Sequence, residues 1–252
     1  GRRPGLALPT PLWEEGKIPE TGQYASARLP IDHWLKNAML LIRGTLLLLS
    51  IALAITMTWR SPAPRGPFVQ RLLWLSVLAW SVELAGMLMA RAYIPNNGLY
   101  NLFVGLEFVV MLSLVDVLFP AWRRTLIALG ALGLAVLLVT IAAKGLSAYM
   151  AIEGIIVIGL ICSAVIVRAL IGLAQRSEHG LQRVPAFWVL TGAFLYFSGT
   201  IPILSAWRFM GRVSTELSTV LYWIVVGLAM MRYLLLAWAM HIERQQRLAQ
   251  GA

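Results

Sequence analysis

The stretch TLIALGALGLAVLLVTIAA, from Thr125 to Ala143, contains no charged residue. At a rise of about 1.5 Å per residue, a helix of this length covers a hydrocarbon layer roughly 30 Å thick. The whole chain has the same character, because 59% of its 252 residues are hydrophobic and only 13% are charged, against roughly 25% charged residues in an ordinary soluble domain. The sequence therefore predicts a membrane protein built from helices.

Six further apolar segments of similar length accompany this one. They run from Ala38 to Trp59, Val69 to Arg91, Gly98 to Trp122, Ala148 to Arg168, Val184 to Trp207 and Leu217 to His241. The fold class that follows is all-α, a polytopic transmembrane bundle of about seven helices over residues 38–241. Residues 1–37 are expected to form a polar, proline-rich arm, with a short interfacial helix near Trp34. Residues 242–252 are expected to form a short basic cytoplasmic tail.

The basic residues next to the spans predict the orientation, because cytoplasmic loops carry an excess of Lys and Arg. Nine lie on the side where the first span ends, and six lie on the side of the N-terminus. We therefore expect the N-terminus outside and the C-terminus in the cytoplasm. The net charge of +10 is scattered through the connections, which favours anionic lipid headgroups as its partner and argues against nucleic acid.

Ionisable residues inside the spans are the candidates for function. A charged side chain at mid-membrane costs roughly 2.5 to 3.5 kcal/mol, so it usually has a partner or a role. Counting residues along each span places Glu83 and Glu107 at one level in the outer half, where two close carboxylates cannot both ionise cheaply. We predict an outward-facing polar pocket for a cation, a proton or an amine there, with interhelical hydrogen bonding as the alternative. The predicted ligand-binding residues are Glu83, Glu107, Arg43, Glu153, Tyr100, Asn101 and Tyr196.

A second charged group is expected in the inner half of the membrane. Asp116, Arg168 and Arg232 carry opposite signs there, so we predict a structural ion pair between Asp116 and either arginine. Arg168 is also expected to extend its long side chain towards the headgroups.

Several membrane activities require residues that the sequence does not place in its spans. The three histidines, His33, His179 and His241, lie at span ends or in connections, so no pair of them is expected to ligate a haem. The last span carries Arg232 and no lysine for a retinal Schiff base. No zinc-binding His-Glu-x-x-His helix and no phosphate-binding Gly-rich loop occur. We predict no catalytic residues, no metal, no cofactor and no enzymatic activity.

Short motifs between Val69 and His241 resemble those of a group of bacterial seven-span membrane proteins that have no assigned reaction. The resemblance implies a layout similar to the membrane-embedded sensing modules that precede a histidine kinase in other bacterial chains. The motifs are Trp80-Ser-Val-Glu83, Tyr100-Asn101, Glu107-Phe108, Phe187-Trp188, Gly192 and Tyr196-Phe-Ser-Gly199.

Three functional hypotheses follow. The first is a non-catalytic binding or sensing subunit that passes its state to a separate membrane protein, since no kinase output domain follows the last span in this sequence. The second is an accessory subunit of a larger membrane complex, docked through the N-terminal arm. The third is a small proton-coupled transporter, for which only Pro202 resembles a break within a span.

Overall fold

A computed structural model describes residues 30–61, 64–147, 150–177, 180–210 and 215–250. The chain divides into two compact units, residues 1–39 and 40–252, and every side-chain contact below lies within the second. Of the predicted arm, residues 1–37, the first 29 lie outside the described residues, and residues 30–37 belong to a helix that begins at Pro30. Within the described ranges, seven helices are long and apolar enough to cross a membrane. The prediction of a seven-helix, multi-pass membrane protein is confirmed.

The seven helices follow one another along the chain with short connections. A 3₁₀ turn at Pro120–Trp122 joins the third to the fourth, and a second at Leu181–Arg183 precedes the sixth. The helices are α1 (Pro30–Trp59), α2 (Pro67–Arg91), α3 (Asn97–Leu118), α4 (Arg123–Lys144), α5 (Ile152–Arg176), α6 (Pro185–Met210) and α7 (Thr215–Gln250).

Several helix ends differ from the predicted spans, and the C-terminal ends of α3, α5 and α7 have identifiable causes or consequences. Helix α3 stops at Leu118 because Pro120 has no N–H to continue the helical hydrogen bonding. Helix α5 passes Arg168, its predicted end, and continues to Arg176, since the side chain of an arginine can leave the hydrocarbon while the helix continues. Helix α7 continues through most of the predicted tail.

Proline and an unusual tyrosine mark the boundaries of α2. Pro67 occupies its first turn, where the missing N–H removes no hydrogen bond. At its other end Tyr93 has a φ of 57°, in the left-handed region that glycine usually fills. The Ile94 N–H donates to the Met89 carbonyl at 2.9 Å and the Tyr93 N–H donates to the Ala90 carbonyl at 3.2 Å. These two bonds close the helix.

The bundle is held by close packing of small residues against large ones. Helix α3 contacts α2, α4 and α5, and α6 lies between α5 and α7. A Cβ at Gly133 of α4 would lie 2.6 Å from a ring carbon of Phe108 of α3, and one at Gly44 of α1 would lie 2.5 Å from the Met87 sulfur of α2. Such contacts are typical of membrane helices, because lipid supplies no hydrophobic force between them. We call the end where α1, α3, α5 and α7 begin the entry end, and the opposite end the exit end.

Candidate functional site

An ion pair lies in the interior of the bundle, between Glu107 of α3 and Arg232 of α7. Arg232 Nη1 donates to Glu107 Oε1, and the two side chains are only 5% and 2% exposed. The other guanidinium nitrogen, Nη2, lies 3.8 Å from the sulfur of Met111. The pair therefore neutralises both charges away from water and links two helices that are distant in sequence.

Aromatic rings surround the Arg232 guanidinium. Its central carbon lies 5.0 Å from the ring centroid of Tyr196, 5.6 Å from that of Phe197 and 5.5 Å from that of Tyr233. Each ring presents π-electron density to the cation, which is an attraction of about 0.5 to 2 kcal/mol per contact. Tyr196 thus belongs to the cluster that the sequence predicted, while Phe197 and Tyr233 were not foreseen.

The predicted ion pair of Asp116 with Arg232 or Arg168 is corrected. Arg232 pairs with Glu107, and the guanidinium of Arg168 lies 5.1 Å from the ring centroid of Trp122. Asp116 Oδ1 is buried without a hydrogen-bond partner among the described residues. At helical rise Glu107 lies about 15 Å into its span and Arg232 about 20 Å into its own, so both residues lie near the middle of the bundle. The sequence-based assignment of Glu107 to the outer half and Arg232 to the inner half therefore separated two residues that form an ion pair.

A hydrogen bond joins the second carboxylate of the cluster to α3. Tyr100 Oη donates to Glu83 Oε2 at 3.1 Å. Gly86 provides the space, because a Cβ there would lie 2.5 Å from Tyr100 Oη. Glu83 also lies within electrostatic range of Glu107. The expectation that the carboxylates of α2 and α3 lie near one another agrees with this arrangement.

Arg43 of α1 is held by aromatic rings of α7. Its guanidinium carbon lies 4.0 Å from the ring centroid of Tyr222 and 5.7 Å from that of Trp223. Tyr222 is in turn within electrostatic range of Glu83. Tyr222 was not among the predicted residues. Counting tyrosine hydroxyls as polar groups within a span would have identified it, eleven residues or about three turns before Tyr233.

Two predicted ligand-binding residues have structural contacts at the entry end. Glu153, in the first turn of α5, forms an ion pair with Lys144 at the end of α4. Asn101 donates to the Leu146 carbonyl at 3.0 Å and accepts from the Ala151 N–H at 2.9 Å. Asn101 therefore fastens the α4–α5 connection to α3.

A small cavity reaches the carboxylate of Glu107 from α5 and α6. Its volume is about 30 Å³, and its lining includes Tyr196 and Thr200 beside apolar side chains such as Ile155. A water molecule needs about 10 to 15 Å³ on this measure. The cavity therefore has room for one or two water molecules next to the ion pair.

Comparison of the chain with known protein families, with curated proteins and with solved structures finds no match. In the described parts of the chain, no three His, Cys, Asp or Glu side chains lie close enough together to hold a metal ion. The geometry of the cluster itself is therefore the basis for a functional conclusion.

Proposed function

We propose that this chain is a non-catalytic binding or sensing subunit of a bacterial cytoplasmic membrane, with its N-terminus outside, and that the cluster of Glu83 and Glu107 binds a proton or a small cation. The observation that carries the proposal is the unequal partnering of the two carboxylates. Glu107 pairs with Arg232, whereas Glu83 accepts a hydrogen bond from Tyr100 and forms no ion pair among the described residues.

The ionised form of Glu83 has no compensating cation in an ion pair among the described residues. An ionised carboxylate within the hydrocarbon layer costs several kcal/mol unless a cation or a set of hydrogen bonds compensates it. One tyrosine hydroxyl at 3.1 Å supplies a single hydrogen bond, and the nearby Glu107 adds repulsion. Proton or cation binding at Glu83 removes that cost, so its occupancy responds to the concentration of the bound ion.

The size of the available space favours a small ligand. The cavity at Glu107 has room for one or two water molecules, which suits a proton carried by water better than an amine with a carbon skeleton. Of the three ligand types that the sequence suggested, the proton and the small cation are therefore preferred.

The cluster also offers a route by which its state reaches the rest of the bundle. Tyr100 and Glu107 lie seven residues apart on α3, which places them on one face two turns apart. Tyr100 contacts Glu83 of α2, and Glu107 contacts Arg232 of α7. A change at Glu83 therefore acts on three helices, and a separate membrane protein in contact with α7 would respond to it.

Infrared difference spectroscopy of the reconstituted protein tests this proposal. Spectra recorded at low and high pH are compared in the region of the protonated-carboxyl stretch, with sodium added to a second sample set. The band that changes in the wild type is expected to disappear in Glu83→Gln and to remain in Glu153→Gln, the control whose ion pair lies at a helix end. A changing band of equal size in Glu83→Gln, or no changing band in the wild type with either ion, contradicts the proposal.

The two alternatives have less support. The accessory-subunit hypothesis depends on the predicted arm at 1–37, of which residues 1–29 lie outside the described residues. Its test is stoichiometric co-purification with a partner. The transporter hypothesis looked to Pro202 for a broken helix, but α6 continues through Pro202.

A further inference from the structure

A ladder of two aromatic rings and two arginines lies at the exit end of the bundle. Phe119 and Trp122, in the turn between α3 and α4, stack with their ring centroids 4.4 Å apart and their planes within 9°. The guanidinium of Arg168 lies 5.1 Å from the Trp122 centroid, and that of Arg176 lies 4.6 Å from the Phe119 centroid. We call Arg168, Trp122, Phe119 and Arg176 the arginine–aromatic ladder.

Gly172 makes this arrangement compatible with the packing of α5. It lies four residues from each arginine, on the same face of the helix. A Cβ at Gly172 would lie 2.8 Å from a ring carbon of Phe119, so only glycine lets the ring contact the helix between the two arginines. The ladder is therefore a built feature of the fold and not a chance meeting of flexible side chains.

The ladder belongs to a region of clustered positive charge. Arg123 and Arg124 begin α4 and are exposed, and the first turn of that helix has neither an acidic residue nor a side-chain cap. Cations at the N-terminus of a helix oppose its dipole. Across the part of the chain that the structure describes, Arg123, Arg124, Arg168 and Arg176 form no ion pair.

We propose that this region binds the phosphate of an anionic phospholipid. The spans Asn97–Leu118 and Ile152–Arg176 end here and the span Pro120–Lys144 begins here. The ladder therefore lies at the membrane boundary, where tryptophan side chains concentrate and arginine side chains reach the headgroups. Guanidinium groups donate paired hydrogen bonds to a phosphate, so the arginines of this region supply the donors for such a group. A lipid with net negative charge is preferred, because a choline group would add a positive charge to four arginines.

Native mass spectrometry of the full chain, titrated with phosphatidylglycerol or with phosphatidylcholine, tests the site. Substitution Arg168→Gln/Arg176→Gln is expected to weaken the first phosphatidylglycerol site roughly thirty-fold, at about a tenfold loss for each 1.4 kcal/mol and about 1 kcal/mol per arginine. The control Arg60→Gln/Arg244→Gln removes the same charge at the same end and is expected to change this affinity less than threefold, on the order of half a kcal/mol. Equal losses in the two double variants would overturn the proposal.

A second variant removes positive charge from the same region without touching the stacked residues, so a loss of stacking cannot explain its effect. Arg123→Gln/Arg124→Gln removes two exposed charges at the start of α4, and it is expected to weaken phosphatidylglycerol binding in the same direction. If neither this variant nor Arg168→Gln/Arg176→Gln loses affinity for phosphatidylglycerol, the proposed site is wrong. Titration with inorganic phosphate at matched ionic strength distinguishes a lipid headgroup from free phosphate as the ligand. If phosphatidylglycerol stays bound in the presence of phosphate, the result supports a headgroup site. If phosphate displaces the lipid and chloride does not, the region is a simple anion site and the proposal is wrong.

Discussion

Arg232 of α7 donates to the carboxylate of Glu107 of α3 inside the bundle, with both side chains almost fully buried. The two residues are 125 positions apart in the chain, and α4, α5 and α6 lie between their helices in the sequence. The pair therefore fixes how α7 lies against α3, and its removal has consequences that differ from those of the other charged residues in the spans.

A double-mutant cycle checks this pairing. Glu107→Gln and Arg232→Gln should each lower the free energy of unfolding by about 3 to 5 kcal/mol, because each leaves a buried charge without its partner. Combined, they should lose less than the sum, with a coupling energy of roughly 1 to 3 kcal/mol. Unfolding in mixed micelles with increasing sodium dodecyl sulfate provides the measurement. The matched pair Asp116→Asn and Arg232→Gln should be additive within about 0.5 kcal/mol; coupling there and not with Glu107 would reinstate the pairing predicted from sequence.

Substitution Gly86→Ala should disturb the Tyr100–Glu83 hydrogen bond without altering either residue. The new methyl group meets Tyr100 Oη, so the hydroxyl must move, and the expected loss of stability is about 1 to 3 kcal/mol. Adding Tyr100→Phe should then cost little more, because the bond is already broken. Gly227→Ala is the control, since nothing lies within 4 Å of a Cβ there. The measurement is thermal unfolding, in one detergent, of Gly86→Ala, Tyr100→Phe, the combination of the two and Gly227→Ala. If the losses from Gly86→Ala and Tyr100→Phe add fully in the combined variant, Gly86 does not act through Tyr100.

Asn101→Leu should destabilise the protein without changing the ion response of Glu83. The substitution leaves the Leu146 carbonyl and the Ala151 N–H without the Asn101 side chain, at about 1 to 3 kcal/mol for each buried group. Asn96→Ala, which removes a longer bond of 3.3 Å to the Gly86 carbonyl, should cost less. Unfolding curves give the stabilities, and the infrared carboxyl band gives the response. Loss of the band in a folded Asn101→Leu protein would show that Asn101 takes part in ion binding, as the sequence predicted.

Tyr93→Gly should stabilise the end of α2. The left-handed φ of 57° costs a tyrosine of order 1 to 3 kcal/mol, while glycine adopts it freely but loses about 0.4 to 1 kcal/mol of chain entropy on folding. The net gain should be roughly 0.5 to 1 kcal/mol over Tyr93→Ala, which removes the 95% exposed ring but keeps a Cβ. Melting temperatures of the two variants provide the comparison. A less stable glycine variant would mean that the backbone strain at this position is negligible.

The number of helices could be predicted because each apolar run had to cover the hydrocarbon. The end of α5 could not be predicted in this way, since a charged residue such as Arg168 is typical of the end of a membrane span. Only its contact with Trp122 shows how it is accommodated within a longer helix. Charge alone did not reveal the partner of Arg232 either. Helix depth is uncertain by several residues and an arginine side chain extends several ångströms, so Glu107 and Asp116 were both within its reach.

Depth along the spans put Glu83, Glu107 and Tyr196 in one predicted site, because all three lie away from the ends of their helices. The same reasoning assigned Arg232 to a different level from Glu107, its partner in the structure. Glu153 and Asn101 lie close to helix ends, where a connection can supply a partner. Sequence spacing carries no information about which connection folds back, so their structural roles became visible only in three dimensions.

Helix α7 has 36 residues and is about 54 Å long, well beyond the roughly 30 Å of hydrocarbon. Near its far end Arg247 donates to the Pro64 carbonyl at 2.9 Å, in the connection between α1 and α2. Gln246 donates to the Arg183 carbonyl, in the connection between α5 and α6. Helix α7 is thus fixed to the bundle at Arg232, and its far end is attached to two separate connections. A rotation of α7 about its axis would move both connections together. A spin label at the exposed Leu248 would therefore record events at the buried carboxylate, more than four helical turns away.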